Sequence, residues 1–210
     1  MLFRSYFQQD WSAIVGNPLI AEQKSYDMEE QVQLEAEHIH TLNPEQRAAF
    51  DEIVQAVTTD SGQIFFLHGP RGTGKTYIYN TLCYHLHGQG KIVLCVVSSG
   101  IAALLLNGGC TSHSAFKIPI RIHESSTCSI TKTSDLADLI WNANLVIWDE
   151  APMQHRHIHE AVDCTFQDIR NSNAPFGGLS IVFGGDFQQI LPVIIKGSWP
   201  DVVNACMQRS

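Results

Sequence analysis

Hydrophobic residues along this chain fall into two alternating patterns. Four short runs are apolar at nearly every position: 63–67, 91–97, 145–148 and 179–183. Helical stretches separate them, near 75–87, 100–106, 134–142 and 156–170. Runs without a polar face read as strands buried on both sides, and strands alternating with helices read as a parallel sheet. The predicted fold class is therefore α/β, a mainly parallel sheet covered by helices on both faces. Ahead of the first run, Asn43 suits a helix N-cap and Pro44 the first helical position, with Phe50, Ile53, Val54 and Val57 following at helical spacing. Residues 1–41 are irregular, then acidic (Asp27, Glu29, Glu30, Glu35, Glu37), and read as a solvated lead-in, partly helical or disordered. The Ser- and Thr-rich segment 121–133 reads as a surface loop.

The junction after the first run carries the chemistry. Residues 69–76 read Gly-Pro-Arg-Gly-Thr-Gly-Lys-Thr, a phosphate-binding loop between a strand and a helix. Gly69, Gly72 and Gly74 let the backbone turn and aim its N–H groups at phosphate oxygens, with Pro70, Arg71 and Thr73 completing the loop. Lys75 can reach the β and γ phosphates, and Thr76 can offer its hydroxyl to Mg²⁺. The third run ends in Asp149 and Glu150. At the carboxyl end of a parallel strand, Asp149 would hold Mg²⁺ and Glu150 would orient the attacking water. ATP with Mg²⁺ is the expected cofactor pair. Beyond the fourth run, Gln189 is the candidate sensor of the γ phosphate. Gln46 has an amide able to read an adenine edge, although residue type alone favours a solvated helix position.

Composition narrows the class. The chain has 210 residues and a net charge of −8, which excludes a protein that coats nucleic acid through a broad basic surface but leaves room for a narrow groove. Its six cysteines show no zinc spacing; Cys83 and Cys95 read as reduced core residues, Cys164 as structural, and the compartment as reducing. No secretory signal or membrane-spanning run is expected. His155 and His159 share a helical face, but without a third ligand nearby they read as capping or solvated residues. Trp141 and Trp148 read as flanking or core residues without a functional role.

Collinear stretches then carry a resemblance: 42–46, 69–76, 98–106, 111–120, 149–153, 175–178 and 184–192. In these the chain closely resembles the Pif (petite integration frequency) family of 5′-to-3′ DNA helicases, and most of all its Helitron-associated branch. The resemblance implies a RecA-like phosphate-loop NTPase domain over 42–210. It implies that ATP hydrolysis is coupled to translocation on single-stranded DNA, in repair, recombination, telomere maintenance or transposition, in the nucleus or also in mitochondria. It implies that Gln46 contacts adenine, that Gln189 couples nucleotide state to DNA, and that Ser99, Gly100, His113, Ser114, Phe116 and Lys117 face the DNA. Phe116 could stack on a base and Lys117 pair with a phosphate, the alternative for Phe116 being a core aromatic. Cys110 and Gln188 stand where that branch often has a basic residue. The family's second RecA-like domain, which supplies arginines to the γ phosphate, has no counterpart in the 210 residues. The expectation is a chain that alone binds ATP–Mg²⁺, hydrolyses it slowly and does not unwind DNA.

Overall fold

The structure, a computed structural model, describes residues 16–70, 72–188, 191–194 and 197–209. Arg71 and Gln189, both expected at the nucleotide site, lie outside the described residues.

Residues 16–41 contain two helices. In α1 (Pro18–Gln23) the Asn17 side chain accepts from the N–H groups of Leu19 and Ile20, and in α2 (Met28–Ile39) Asp27 caps Glu29 and Glu30 in the same way. The next helix, α3 (Pro44–Thr58), starts with a reciprocal capping box between Asn43 and Gln46. From there strands and helices alternate: β1 (Ile64–His68), α4 (Lys75–Gly88), β2 (Val93–Val97), α5 (Gly100–Ala103), β3 (Cys110–Thr111), α6 (Ser112–Phe116), α7 (Asp135–Asn142), β4 (Leu145–Asp149), α8 (Arg156–Arg170), β5 (Ser180–Gly185) and α9 (Trp199–Ala205). A 3₁₀ turn at Ala151–Met153 follows β4.

Among the described residues the sheet has five strands in the order β1-β5-β4-β2-β3, every pair parallel. Alternate residues of each central strand feed opposite cores. Val93, Cys95, Val97, Leu145, Ile147 and Val182 pack under α3 and α4. Leu94, Val96, Val146, Trp148, Ile181 and Phe183 pack against α6, α7 and α8. This is the two-sided cover that the mostly apolar runs required, and it confirms the α/β reading.

Three local expectations change. The stretch 100–106 is helical only through Ala103, and the chain then turns through Gly108, at φ +65°, into Gly109, where a Cβ would lie 2.5 Å from the Ala103 carbonyl oxygen. Cys164 is exposed rather than structural, on the outer face of α8. The lead-in is not merely solvated where it is described: α2 lies against α4, with His85 Nδ1 2.7 Å from Glu35 and the His38 ring stacked 4.4 Å from Tyr77. Cys83 and Cys95 are buried free thiols, as expected, with sulfurs 3.3 Å apart.

Candidate functional site

The loop between β1 and α4 is shaped by its glycines. Gly72 and Gly74 sit at φ +83° and +86°, a region side chains resist. A Cβ on Gly74 would lie 2.5 Å from Gln46 Nε2. Gly74 precedes α4 without a side-chain cap, so the helix's leading N–H groups point into the loop. Lys75 Nζ donates to the carbonyls of Gly69 (2.5 Å) and Pro70 (3.2 Å), and Thr73 Oγ1 donates to Pro70 O at 2.9 Å. The ammonium therefore lies across the mouth of the loop, where phosphate oxygens would be its stronger partners. Gln46 braces the loop from outside: Nε2 donates to Thr73 O at 3.0 Å, while Oε1 accepts the Asn43 N–H at 3.0 Å.

The acidic pair faces this loop. Asp149 closes β4 and is buried; the Tyr79 hydroxyl donates to its Oδ1 at 3.4 Å. Burial pushes its carboxyl above the usual range, opposed by the Glu150 N–H, the Lys75 charge and Tyr79. Glu150 adopts a left-handed backbone (φ 54°, ψ 32°), uncommon for a non-glycine residue and held here by Ser98 Oγ, which donates to its carbonyl at 2.6 Å. Gly72, Gly74, Lys75, Thr76, Asp149 and Glu150 line one cleft of about 730 Å³. The Thr76 hydroxyl and the Asp149 carboxylate fit Mg²⁺, a hard cation that takes few protein oxygens and completes its shell with phosphate and water. Among the described residues no group of three His, Cys, Asp or Glu could hold a metal by itself.

Sequence reasoning missed two members of this site. Tyr79, on α4, supports Asp149 from below. Gly184, on β5, leaves room for both: a Cβ there would lie 2.8 Å from Asp149 Oδ1 and would overlap the Tyr79 hydroxyl. The signal for Gly184 was present, a glycine at the end of an apolar run, but its neighbours come from two other elements.

The residues expected to face DNA divide. Ser99 and Gly100 are exposed at the start of α5, with Ser99 Oγ accepting from the Ala102 N–H, and Ser99 also lines the cleft described above. Ser114 and Lys117 are exposed on and after α6, and His113 is half-buried, its imidazole held below the ordinary range by burial. Because β2 and β3 are paired neighbours, both segments emerge at the same end of the sheet as Asp149. Phe116 does not join them. Only 1% exposed, it packs 5.6 Å from Trp148 and edge-on to Phe166 at 5.1 Å. The base-stacking expectation is corrected: one turn of α6 directs residue 116 into the core while residues 114 and 117 stay outside.

The histidines near α8 are structural. His155 caps the helix by accepting the His157 N–H at Nδ1, and His157 pairs with Glu160. His159, expected to be capping or solvated, is instead buried against Trp148 and Phe183, its Nε2 3.3 Å from Ala151 O, and burial pushes its pKa down to about 4. Among the described residues no helix is long and apolar enough to cross a membrane.

Known proteins resemble this chain. The chain is 33% identical over 139 residues to the ATP-dependent DNA helicase Pif1 of Psychrobacter sp., covering 65% of this chain and 21% of that protein. It is 28% identical to the Homo sapiens ATP-dependent DNA helicase PIF1, over 76% of this chain and 23% of that protein. The chain thus spans between 15% and 35% of the length of these and similar curated relatives. Two solved structures superpose on it. A Bacteroides Pif1 helicase in complex with ADP-AlF3 and single-stranded DNA has TM-score 0.61 and 27% identity, over 74% of this chain and 35% of that one. Bacteroides Pif1 bound to single-stranded DNA has TM-score 0.56 and 29% identity, over 69% and 33%. A family model described as PIF1-like helicase matches residues 41–210, so the sheet, the phosphate loop and the acidic pair all lie within the match, and the chain belongs to the PIF1-like helicase family.

Proposed function

We propose that this chain is the ATP-hydrolysing, DNA-contacting part of an ATP-dependent DNA helicase of 5′-to-3′ polarity. One observation carries this: Lys75, Thr76, Asp149 and Glu150, distant in sequence, line a single cleft at the carboxyl ends of β1 and β4. In this mechanism the loop N–H groups and Lys75 hold the phosphates, and Lys75 exchanges its carbonyl partners for charged oxygens. Thr76 and Asp149 would hold Mg²⁺, which neutralises charge on the transferred phosphoryl group. Glu150 orients the attacking water and accepts its proton. Gln46 would read the adenine edge beside the loop it braces, and Gln189 would sense the γ phosphate.

Single-stranded DNA is the proposed partner, met by Ser99, Gly100, His113, Ser114 and Lys117; the solved relatives bound to single-stranded DNA support this. We assign residues 42–210 to the first RecA-like domain, and unwinding to its work with a second, which would close the cleft and supply arginine to the γ phosphate. An arginine so placed is worth roughly 10³–10⁵ in rate. The working compartment is the nucleus or mitochondria, where DNA is the substrate.

ATP hydrolysis by the purified chain, with and without single-stranded DNA and beside Lys75→Ala, tests the proposal. Expected is slow turnover that DNA raises and the substitution abolishes. A folded chain that binds neither nucleotide nor DNA would refute it. Robust unwinding by the 210 residues alone would refute the need for a second domain.

A further inference from the structure

Side-chain hydrogen bonds tie one of the two segments proposed to face DNA to Glu150 and the other to Trp148, directly before Asp149. Ser98, just before Ser99 and Gly100, donates through Oγ to Glu150 O at 2.6 Å. From the other segment runs a buried relay. The Trp148 indole N–H donates to Gln154 Oε1 at 2.9 Å, and Gln154 Nε2 donates to Ser112 Oγ at 2.7 Å. Ser112 opens α6, the helix that carries His113 and Ser114. All three members of the relay are buried.

The relay also closes a loop around the site. Trp148 directly precedes Asp149, and Gln154 follows the 3₁₀ turn that begins beyond Glu150, with the Met153 N–H bonded to Glu150 O at 3.2 Å. The Trp148–Gln154 bond thus brackets both carboxylates. α6 meets the indole a second time through Phe116, 5.6 Å away. A buried amide with both ends engaged cannot release one partner without leaving a polar group unpaired, so displacement of α6 passes to β4 rather than being absorbed.

Resting on the nucleotide and DNA assignments above, we propose that Gln154, with Ser112 and Ser98, is a positioning residue: the Ser112–Gln154–Trp148 relay and the Ser98–Glu150 bond make DNA occupancy at α5 and α6 set the placement of Asp149 and Glu150. Gln154 touches neither ligand. It couples them, and the coupling is reciprocal, so nucleotide also changes the affinity for DNA.

The test is nucleotide affinity of the full 210-residue chain, read with a fluorescent ATP analogue in the absence and presence of an oligothymidylate. In the native sequence, DNA is expected to shift that affinity by about 5-fold or more. Gln154→Leu should keep each ligand's separate affinity within about two-fold while the shift shrinks to what the Ser98–Glu150 bond still carries, and adding Ser112→Ala should cost nothing further, as for members of one chain. Ser112→Ala, which deletes a single oxygen, decides the matter should Gln154→Leu not fold. The Trp148 indole N–H resonance, assigned with Trp148→Phe, should move on DNA addition in the native chain and stay fixed in Ser112→Ala. Full coupling in either folded variant, or a native chain that binds both ligands independently, overturns the proposal. A native chain that binds neither ligand refutes the functional assignment itself, a separately recognisable result.

Discussion

The cleft proposed for nucleotide and the segments proposed to face DNA sit at the same end of one sheet but are built differently. The cleft is made mostly of backbone: a loop whose glycines take angles other residues resist, the uncapped start of α4, and an acidic pair fixed where a strand ends. The segments proposed to face DNA rest on a two-residue strand and two helices of at most five residues, where orientation comes from side-chain caps, bonds to neighbouring segments and packing. Contiguous sequence specifies the first. Only the assembled core specifies the second.

The substitution expected to have the largest effect separates chemistry from binding within the cleft. Glu150→Gln should keep nucleotide affinity and lower turnover by about 10²–10⁴, as loss of general-base assistance does; single-turnover hydrolysis measures it. The next effect tests the corrected member of the other region. Phe116→Ala should destabilise the fold by about 3–5 kcal/mol in denaturant unfolding, because a filled aromatic core position empties. A variant of unchanged stability that binds DNA poorly would return Phe116 to the DNA face.

Beneath both regions lies Trp148, and against it His159. The His159 pKa of about 4 lies below the ordinary value of about 6.5 for an unfolded chain, so the unfolded state takes up the proton first. Its contribution is complete above pH ~6.5 and is lost as pH falls toward 4, amounting to about 3 kcal/mol. His159→Phe should flatten the decline of melting temperature over that window. The smallest effect belongs to the exposed rim. Lys117→Ala should weaken DNA binding by less than about ten-fold, equally across sequences, and lower the salt slope by about one. Nucleotide affinity measured without DNA should not change.

What the sequence made legible follows the same division. The runs near 63–67, 91–97, 145–148 and 179–183 became β1, β2, β4 and β5: the last three are buried along their whole length and leave no polar face, while β1, at the sheet edge, is only half-buried. Lys75, Thr76, Asp149 and Glu150 were readable because a contiguous loop motif and a strand end bring them to one cleft whatever surrounds them. Phe116 was not, because a five-residue helix is too short to show which side is apolar. β3 and α9 were not read for a similar reason: two and seven residues carry little period. Trp148 was read as core, and it is; that its single N–H faces Gln154 depends on a contact between segments no pattern links.

Strand order leaves one further consequence. β5 stands between β1, which leads into the phosphate loop, and β4, which ends in the acids. Their separation is therefore about two strand spacings, close to 10 Å, held by main-chain hydrogen bonds rather than by any side chain. At the cleft end β5 presents Gly184 and Gly185, which add no side chain and leave room for Tyr79, Asp149 and Pro152. Helices and loops around this sheet can drift in sequence or angle while the gauge of the slot stays constant. A change in the ladder itself would alter it, and the fit of a triphosphate with it.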